Sequence, residues 1–302
     1  MNLRDIARLR CRMQQVEAPS EREPDRIVQW HGAVQAQDLA LAKWSIGQRL
    51  SNATELTVDA AIADGSILRT HVLRPTWHFV ARADLPWMVK LTAPRLLARL
   101  RSYDRQNGVD AALVRKSTRT IAASLGKDGH LTRGAIAEVL RSRGIAAGSA
   151  WLVGHLLIHA ELEGVICSGT PKGPHHTYAL VEERAAGAAV LSGDEALGEL
   201  ARRYFQSHSP ASLQDYRWWS GLLTPAAKRG IEVLGPALQR IQVGSTTFFV
   251  HADAAAHRPP RTGRAHLLQA FDELIVAYSE SRALVDVRGV VRTRKLDGLL
   301  TQ

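Results

Sequence analysis

The segment Trp30-His-Gly-Ala-Val-Gln35-Ala-Gln37-Asp38 sets two amides two residues apart, with a carboxylate beside the second. An amide neither gives nor takes a proton near neutral pH, so Gln35 and Gln37 offer no general base. Their carbonyls can accept a hydrogen bond from water and aim it, and the same dipoles can stabilise a nearby positive charge. Residues i and i+2 diverge on a helix but share one side of an extended strand, so joint action requires an extended chain. Asp38 reads as the N-cap of a helix starting at Leu39, which leaves Gln35 to Gln37 at a helix-to-helix junction. The other reading of Asp38, a carboxylate binding water or a cation, is the less favoured one. The triplet also fits an ordinary helix surface, so its spacing alone assigns no function.

The chain has 302 residues, room for two or three modules. Thirty-nine Lys and Arg against 29 Asp and Glu give a net charge of +10, and Arg95, Arg99, Arg101 and Arg105 crowd one stretch. Such a surface attracts polyanions, although charge of this size also serves solubility alone. Cys11 and Cys167 stand far apart without CxxC or Cys/His spacing, so neither a disulfide framework nor a zinc site is expected. His175-His176 has no Cys or carboxylate at ligand spacing, and no metal is expected there either. The first residues form an amphipathic helix opening, not a signal peptide, and no apolar run reaches the roughly 18 residues of a membrane span. A soluble, cytoplasmic protein is expected.

The elements that must position the amides follow from periodicity. Leu3, Ile6, Leu9 and Met13 recur at helical spacing, Pro24 opens a second helix, a third follows from Leu39, and a short fourth covers residues 57–63. The period then changes to alternation in residues 67–74 and 76–81. A long helix is expected over residues 85–106, N-capped by Asp84 and bent at Pro94. Helices near residues 111–124, from Thr132 and over 149–162 precede two further strands, at 164–168 and 176–181. A third set comprises helices at 194–205, 212–221 and 224–234, then strands at 238–243 and 246–251. In it Ser212 with Asp215 reads as a capping box, Thr224-Pro225 as a cap followed by Pro, and Gly244-Ser245 as a hairpin turn. Helices followed by a small antiparallel pair, three times over, read as three tandem winged-helix units. The expected fold is α+β and mainly helical, with units at 1–106, 107–190 and 191–260. A short β-containing tail is expected at 261–302, where residues 283–291 alternate.

Four islands stand in order along this frame: Gly32-Ala-Val-Gln35-Ala-Gln37-Asp38, Arg74-Pro-Thr76-Trp-His78-Phe-Val, Asp215-Tyr-Arg-Trp218-Trp219-Ser-Gly-Leu and Ala270-Phe271-Asp272. With them the chain resembles, over nearly its whole length, the winged-helix family typified by the bacterial DNA glycosylases YcaQ and AlkZ. The resemblance implies a C-shaped, basic DNA-binding surface and a hairpin that helps engage DNA. It also implies that Gln35 and Gln37 are the catalytic residues, in the Gln-x-Gln form of the AlkZ-like branch. After the Phe-Asp motif the chain departs from the family's pattern of further strands, which puts their contribution in question. Trp218 and Trp219 mark the family but read as packing residues.

Base excision passes through an oxocarbenium-like sugar that water attacks, a task for which most enzymes use a carboxylate. Two amides suffice only for a good leaving group. An N7- or N3-alkylated purine already carries positive charge and leaves neutral, so the residue pair and that substrate class agree. The expectation is a monofunctional glycosylase without cofactor, monomeric, acting on double-stranded DNA with alkylated purines, N7-alkylguanine and crosslinked guanine among them. No Lys nucleophile stands beside the motif for a Schiff-base mechanism. DNA contacts are expected at Arg74, Thr76 and His78, placed on one strand face, at Arg95 and Arg99 on the long helix, and at Lys172 and His175 in the second wing. The alternative is a noncatalytic winged-helix regulator binding one DNA site as a dimer.

Overall fold

The structure is a computed structural model describing residues 2–145, 149–188, 190–255 and 266–280. In chain order it forms α1 (Leu3–Met13), α2 (Pro24–His31), β1 (Val34–Gln35), α3 (Leu39–Gly47), α4 (Glu55–Asp64), β2 (Ile67–His71), β3 (Trp77–Ala81), α5 (Leu85–Gln106) and α6 (Ala111–Asp128). There follow β4 (Leu131–Thr132), α7 (Arg133–Ser142), α8 (Ala150–Leu162), β5 (Ile166–Ser168), β6 (Thr177–Leu180), α9 (Val181–Arg184), α10 (Gly193–His208), α11 (Leu213–Ser220) and α12 (Thr224–Leu234). The hairpin β7 (Leu238–Val243) and β8 (Thr246–His251) and the short helices α13 (Ala252–Ala255) and α14 (Glu273–Val276) complete the described chain. The protein is thus mainly helical α+β. No described helix is long and apolar enough to cross a membrane.

Two compact units share the chain. The described residues of 1–58 and of 191–280 form one, and those of 59–190 the other. The first unit is built around α10, which packs on α1, α2, α11, α12 and β8. Its buried Leu200, Ala201, Tyr204 and Phe205 supply the central face. Helices α10 and α12 approach closely because Gly230 carries no side chain: a Cβ there would stand 2.7 Å from the Leu197 carbonyl oxygen. The hairpin closes in two residues, as expected, with Val243 opposite Thr246 and Gly244 at φ +58°. Leu9 and Met13 of α1 bury against Val250 and Ala254.

The second unit has α6, α7 and α8 around Ile121, Leu125, Ile136, Leu140, Leu156 and Leu157, closed by Ile166 and Tyr178 from a three-stranded sheet ordered β4-β6-β5. Thr132 and Ser149 cap their helices through their hydroxyls. Helix α5 packs on α8, and β2 pairs antiparallel with β3, Ile67 opposite Ala81 and His71 opposite Trp77.

Several local expectations need correction. Asp84 stands at the start of α5 but makes no side-chain cap; its carboxylate accepts instead from the Trp87 indole at 3.1 Å. Thr224 is the first residue of α12, and Leu223 occupies the cap position. Arg74 and Thr76 lie in the connection before β3, so no strand alternation orders them with His78. Helix α13 was not expected from the sequence, and the alternation at 283–291 lies outside the described residues.

Candidate active site

The Gln35–Gln37 segment is held at both ends within the first unit. Helix α2 ends at Gly32, whose φ of +77° favours glycine. A Cβ there would press on the Arg203 Cβ at 3.2 Å and on the Trp219 ring at 3.3 Å. On the far side Asp38 caps α3, its carboxylate accepting from the Leu41 N–H at 3.0 Å, as expected. Between them Val34–Gln35 form the short strand β1 and the chain bends at Gln37 and Asp38, while burial alternates: Val34 and Ala36 are buried, Gln35 is half-buried and Gln37 exposed. The apolar residues bind the segment to the core, and the two amides occupy its more accessible positions.

Behind this segment lies a polar core absent from the sequence reading. The Gln35 main-chain N–H donates to Glu273 Oε1 at 2.6 Å. Glu273 is almost wholly buried, with its Oε2 3.8 Å from His208 Nε2. The His208 ring stacks on Tyr204 at 4.7 Å and meets His31 edge-on at 5.6 Å. Burial drives the His31 imidazole down to about 3, helped by the positive charge of Arg49, so it is neutral in the native protein. Burial also lowers His208, against the opposing pull of Glu273.

Next to Glu273, Asp272 forms a bidentate ion pair with Arg49, 2.6 Å from Nη2 to Oδ1 and 2.8 Å from Nη1 to Oδ2. Ser45 Oγ, Gln48 Nε2 and the Leu274 N–H also donate to Asp272. Burial opposes the Asp272 charge, but the Arg49 guanidinium and these donors hold its carboxyl below the usual carboxylate range. Residues 276–279 are tied down as well. Tyr204 donates to the Ala277 carbonyl, Trp218 to the Val276 carbonyl, and Ser279 to Asp215 Oδ1. Asp215 completes the expected capping box with Ser212 and pairs with buried Arg10.

Chemically, the site offers two amides, one half-buried and one exposed, on a backbone tied at Gln35 and capped at Asp38, with buried charge behind it. The sequence pattern of the AlkZ-like DNA glycosylases matches residues 28–296, which include Gln35, Gln37, Arg49, His208, Asp272 and Glu273. The chain belongs to the AlkZ-like DNA glycosylase family. It is accordingly an enzyme of the class that hydrolyses N-glycosyl bonds. The interstrand DNA cross-link repair glycosylase of Streptomyces sahachiroi is 24% identical over 286 residues, 90% of this chain and 76% of that protein. In fold, the solved Streptomyces sahachiroi DNA glycosylase AlkZ matches with a TM-score of 0.78 at 22% identity, over 92% of this chain and 77% of that one.

All the DNA contacts expected of this AlkZ-like glycosylase fall in the second unit. Arg95 and Arg99 lie one turn apart on α5, Arg99 exposed and Arg95 half-buried, and Arg101 and Arg105 form a second exposed pair. Lys172 and His175 are exposed at the tip of the β5–β6 connection, bridged through their backbones. The Lys172 ammonium donates to the His130 carbonyl at 2.6 Å. Arg74 and Thr76 are half-buried. His78 is a correction: its ring is fully buried, bonded through Nδ1 to the Thr76 carbonyl, and burial holds it well below the usual histidine range. A neutral ring without surface cannot meet a phosphate. His176 is likewise lowered to about 4 by burial.

Among the described residues, Asp104, His155 and His159 have their ligand atoms within 4.8 Å of one another, a composition that a metal could use. In this structure both imidazoles reach Asp104 Oδ1, at 2.5 and 3.1 Å, and so join α8 to α5. His155 also lines a cavity of about 360 Å³, with Trp77, Tyr103, Trp151 and Tyr178 among its other walls. Sequence reasoning also passed over Glu273, His208, His31 and Arg49. The one usable signal was the adjacency of Glu273 to the Phe271-Asp272 island.

Proposed function

We propose that this AlkZ-like glycosylase hydrolyses the N-glycosidic bond of cationic alkylated purines of the N7-alkylguanine type, interstrand crosslinks included, with Gln35 and Gln37 as its catalytic pair. The observation that carries the reading is the alternating burial of the segment, with Val34 and Ala36 inside and Gln35 and Gln37 at its more accessible positions. From there their carbonyls accept hydrogen bonds from one water, aim it at C1′ and oppose the positive charge gathering on the sugar. The lesion's own charge provides the leaving-group activation, so no acid is required of the protein. Crosslinks enter the proposal because the related Streptomyces sahachiroi protein is named for their repair.

DNA contact is assigned to Arg74, Thr76, Arg95, Arg99, Lys172 and His175. The orders α6-β4-α7-α8-β5-β6 and α10-α11-α12-β7-β8 support the winged-helix reading of those segments. The noncatalytic regulator is not favoured, since the family is one of glycosylases.

The test is release of 7-methylguanine from duplex DNA by the protein and by a Gln35→Ala/Gln37→Ala variant. The double variant is expected to lose about 10²-fold or more in single-turnover rate, the scale of losing preorganised polar groups. Release at the same rate by both proteins, or none above spontaneous depurination by either, overturns the proposal.

A further inference from the structure

We propose that Glu273 is the positioning residue of the site, fixing Gln35 through its main chain; the idea rests on the reading of Gln35 and Gln37 as the catalytic pair. Glu273 Oε1 accepts the Gln35 N–H at 2.6 Å, a charge-assisted bond of the short, directional kind. The carboxylate that takes it is only 1% exposed. Burying a carboxylate is costly, and a neutral acceptor would satisfy the same N–H for less. What Glu273 adds is a fixed position, set by its length and its anchored neighbour, for the residue whose carbonyl must aim a water.

The anchorage of Glu273 supports this role. Asp272, its neighbour and the N-cap of α14, is gripped by Arg49 and by Ser45. Ser45 belongs to α3, the helix that begins immediately after Gln37-Asp38. One end of the Gln35–Gln37 segment is thus fixed to α3 covalently, and the other returns to α3 through Glu273, Asp272 and Ser45. The loop is closed, so Gln35 cannot shift without breaking a buried charged bond.

On its other side Glu273 faces an imidazole whose tautomer follows from its neighbours. Ser207 Oγ donates to the Arg203 carbonyl at 2.7 Å, so it accepts from His208 Nδ1, also at 2.7 Å. Neutral His208 therefore keeps its proton on Nδ1. Its Nε2, which has no hydrogen-bond partner among the described residues, faces Glu273 Oε2 at 3.8 Å. A glutamine at 273 would suit both sides: its carbonyl meets the Gln35 N–H and its amide N–H₂ faces the His208 lone pair. An aspartate keeps the charge but is one carbon too short to reach Gln35. Glu273→Gln and Glu273→Asp thereby separate geometry from charge.

The experiment measures single-turnover release of 7-methylguanine, affinity for the same DNA and thermal unfolding. The variants are Glu273→Ala, Glu273→Gln, Glu273→Asp, Gln35→Ala and Glu273→Ala/Gln35→Ala. Misplacement of a reacting group by an ångström is worth about 10²-fold, so Glu273→Ala and Glu273→Asp are expected to slow release roughly 10- to 100-fold. DNA affinity should stay within about threefold, since the site's aim and not its grip is lost. Glu273→Gln is expected to keep its rate within about threefold, a neutral bond replacing a charged one. In the Gln35→Ala background the Glu273→Ala change should cost little further, because the amide that Glu273 positions is already gone. Equal losses in both backgrounds would mark a merely structural role and overturn the proposal, as would an active Glu273→Asp with an inactive Glu273→Gln. Normal activity of Glu273→Ala beside an impaired Gln35→Ala overturns it too and leaves the catalytic pair standing. Normal activity of Gln35→Ala removes the catalytic pair and this proposal with it. Should Glu273→Ala fail to fold, the Gln and Asp variants decide.

Discussion

Replacing Arg49 by methionine tests whether buried charge holds the site together. The substitution keeps most of the side-chain stem and deletes the cation opposite Asp272, in a pair whose side chains are 1% and 0% exposed. Breaking a buried ion pair by removing one partner costs about 3–5 kcal/mol, because the other charge stays buried. Asp272 keeps three donors, from Ser45, Gln48 and the Leu274 N–H, which favours the low end. Against that, the carbonyls of Gln14 and Ser45 lose the guanidinium donors at 3.0 and 2.8 Å. The balance is about 3–4 kcal/mol, a fall in melting temperature of roughly 6–16 °C at about 2–4 °C per kcal/mol for units of this size. Thermal unfolding followed by calorimetry and near-UV circular dichroism reads it out. Adding Asp272→Asn retains a capping oxygen and removes the orphaned charge, so the double variant should recover much of the loss. A melting temperature within about 2 °C of the unaltered protein, or a double variant no better than Arg49→Met, would refute the reasoning.

Buried neutral histidines make stability depend on acid. His31 sits at about 3 in the native state against an ordinary 6.5, so below 6.5 the unfolded chain binds a proton that the native one refuses. Stability must then fall as pH drops from 6.5 toward 3, and His78 and His208, lowered by burial, act in the same direction. For His31 alone the loss between pH 7 and pH 5 is about 2 kcal/mol, and an unfolding midpoint unchanged over that interval would contradict it. On the basic face, Arg95→Glu/Arg99→Glu should weaken DNA binding without sequence preference and flatten the log–log salt slope by about 0.9 per lost phosphate contact. His78→Ala, by contrast, should lower the melting temperature and leave that slope unchanged, while a flattened slope would return His78 to the DNA.

The sequence carried what local physics writes into a chain. Helical spacing of apolar residues marked α1, the Gly-Ser turn marked β7–β8, and Asp38 and the Ser212–Asp215 pair marked their caps, because each depends on neighbours within a few positions. The Gln35-Ala-Gln37 pair was legible through the resemblance, and the exclusion of a general base through the chemistry of amides. Where local rules competed with packing they failed: His78 looked like a strand residue able to reach DNA, but the folded chain buries its ring completely.

Tertiary structure alone decided what stands behind the glutamines. Glu273 lies 238 residues from Gln35, and Asp272 lies 223 from Arg49. No periodicity or cap connects positions so far apart. The pairing arises because burial makes an isolated charge intolerable, so a carboxylate folded into the first unit must find its donors wherever the chain brings them. Two amides could be read from the order of residues; the buried acid that holds one of them depends on the folded chain.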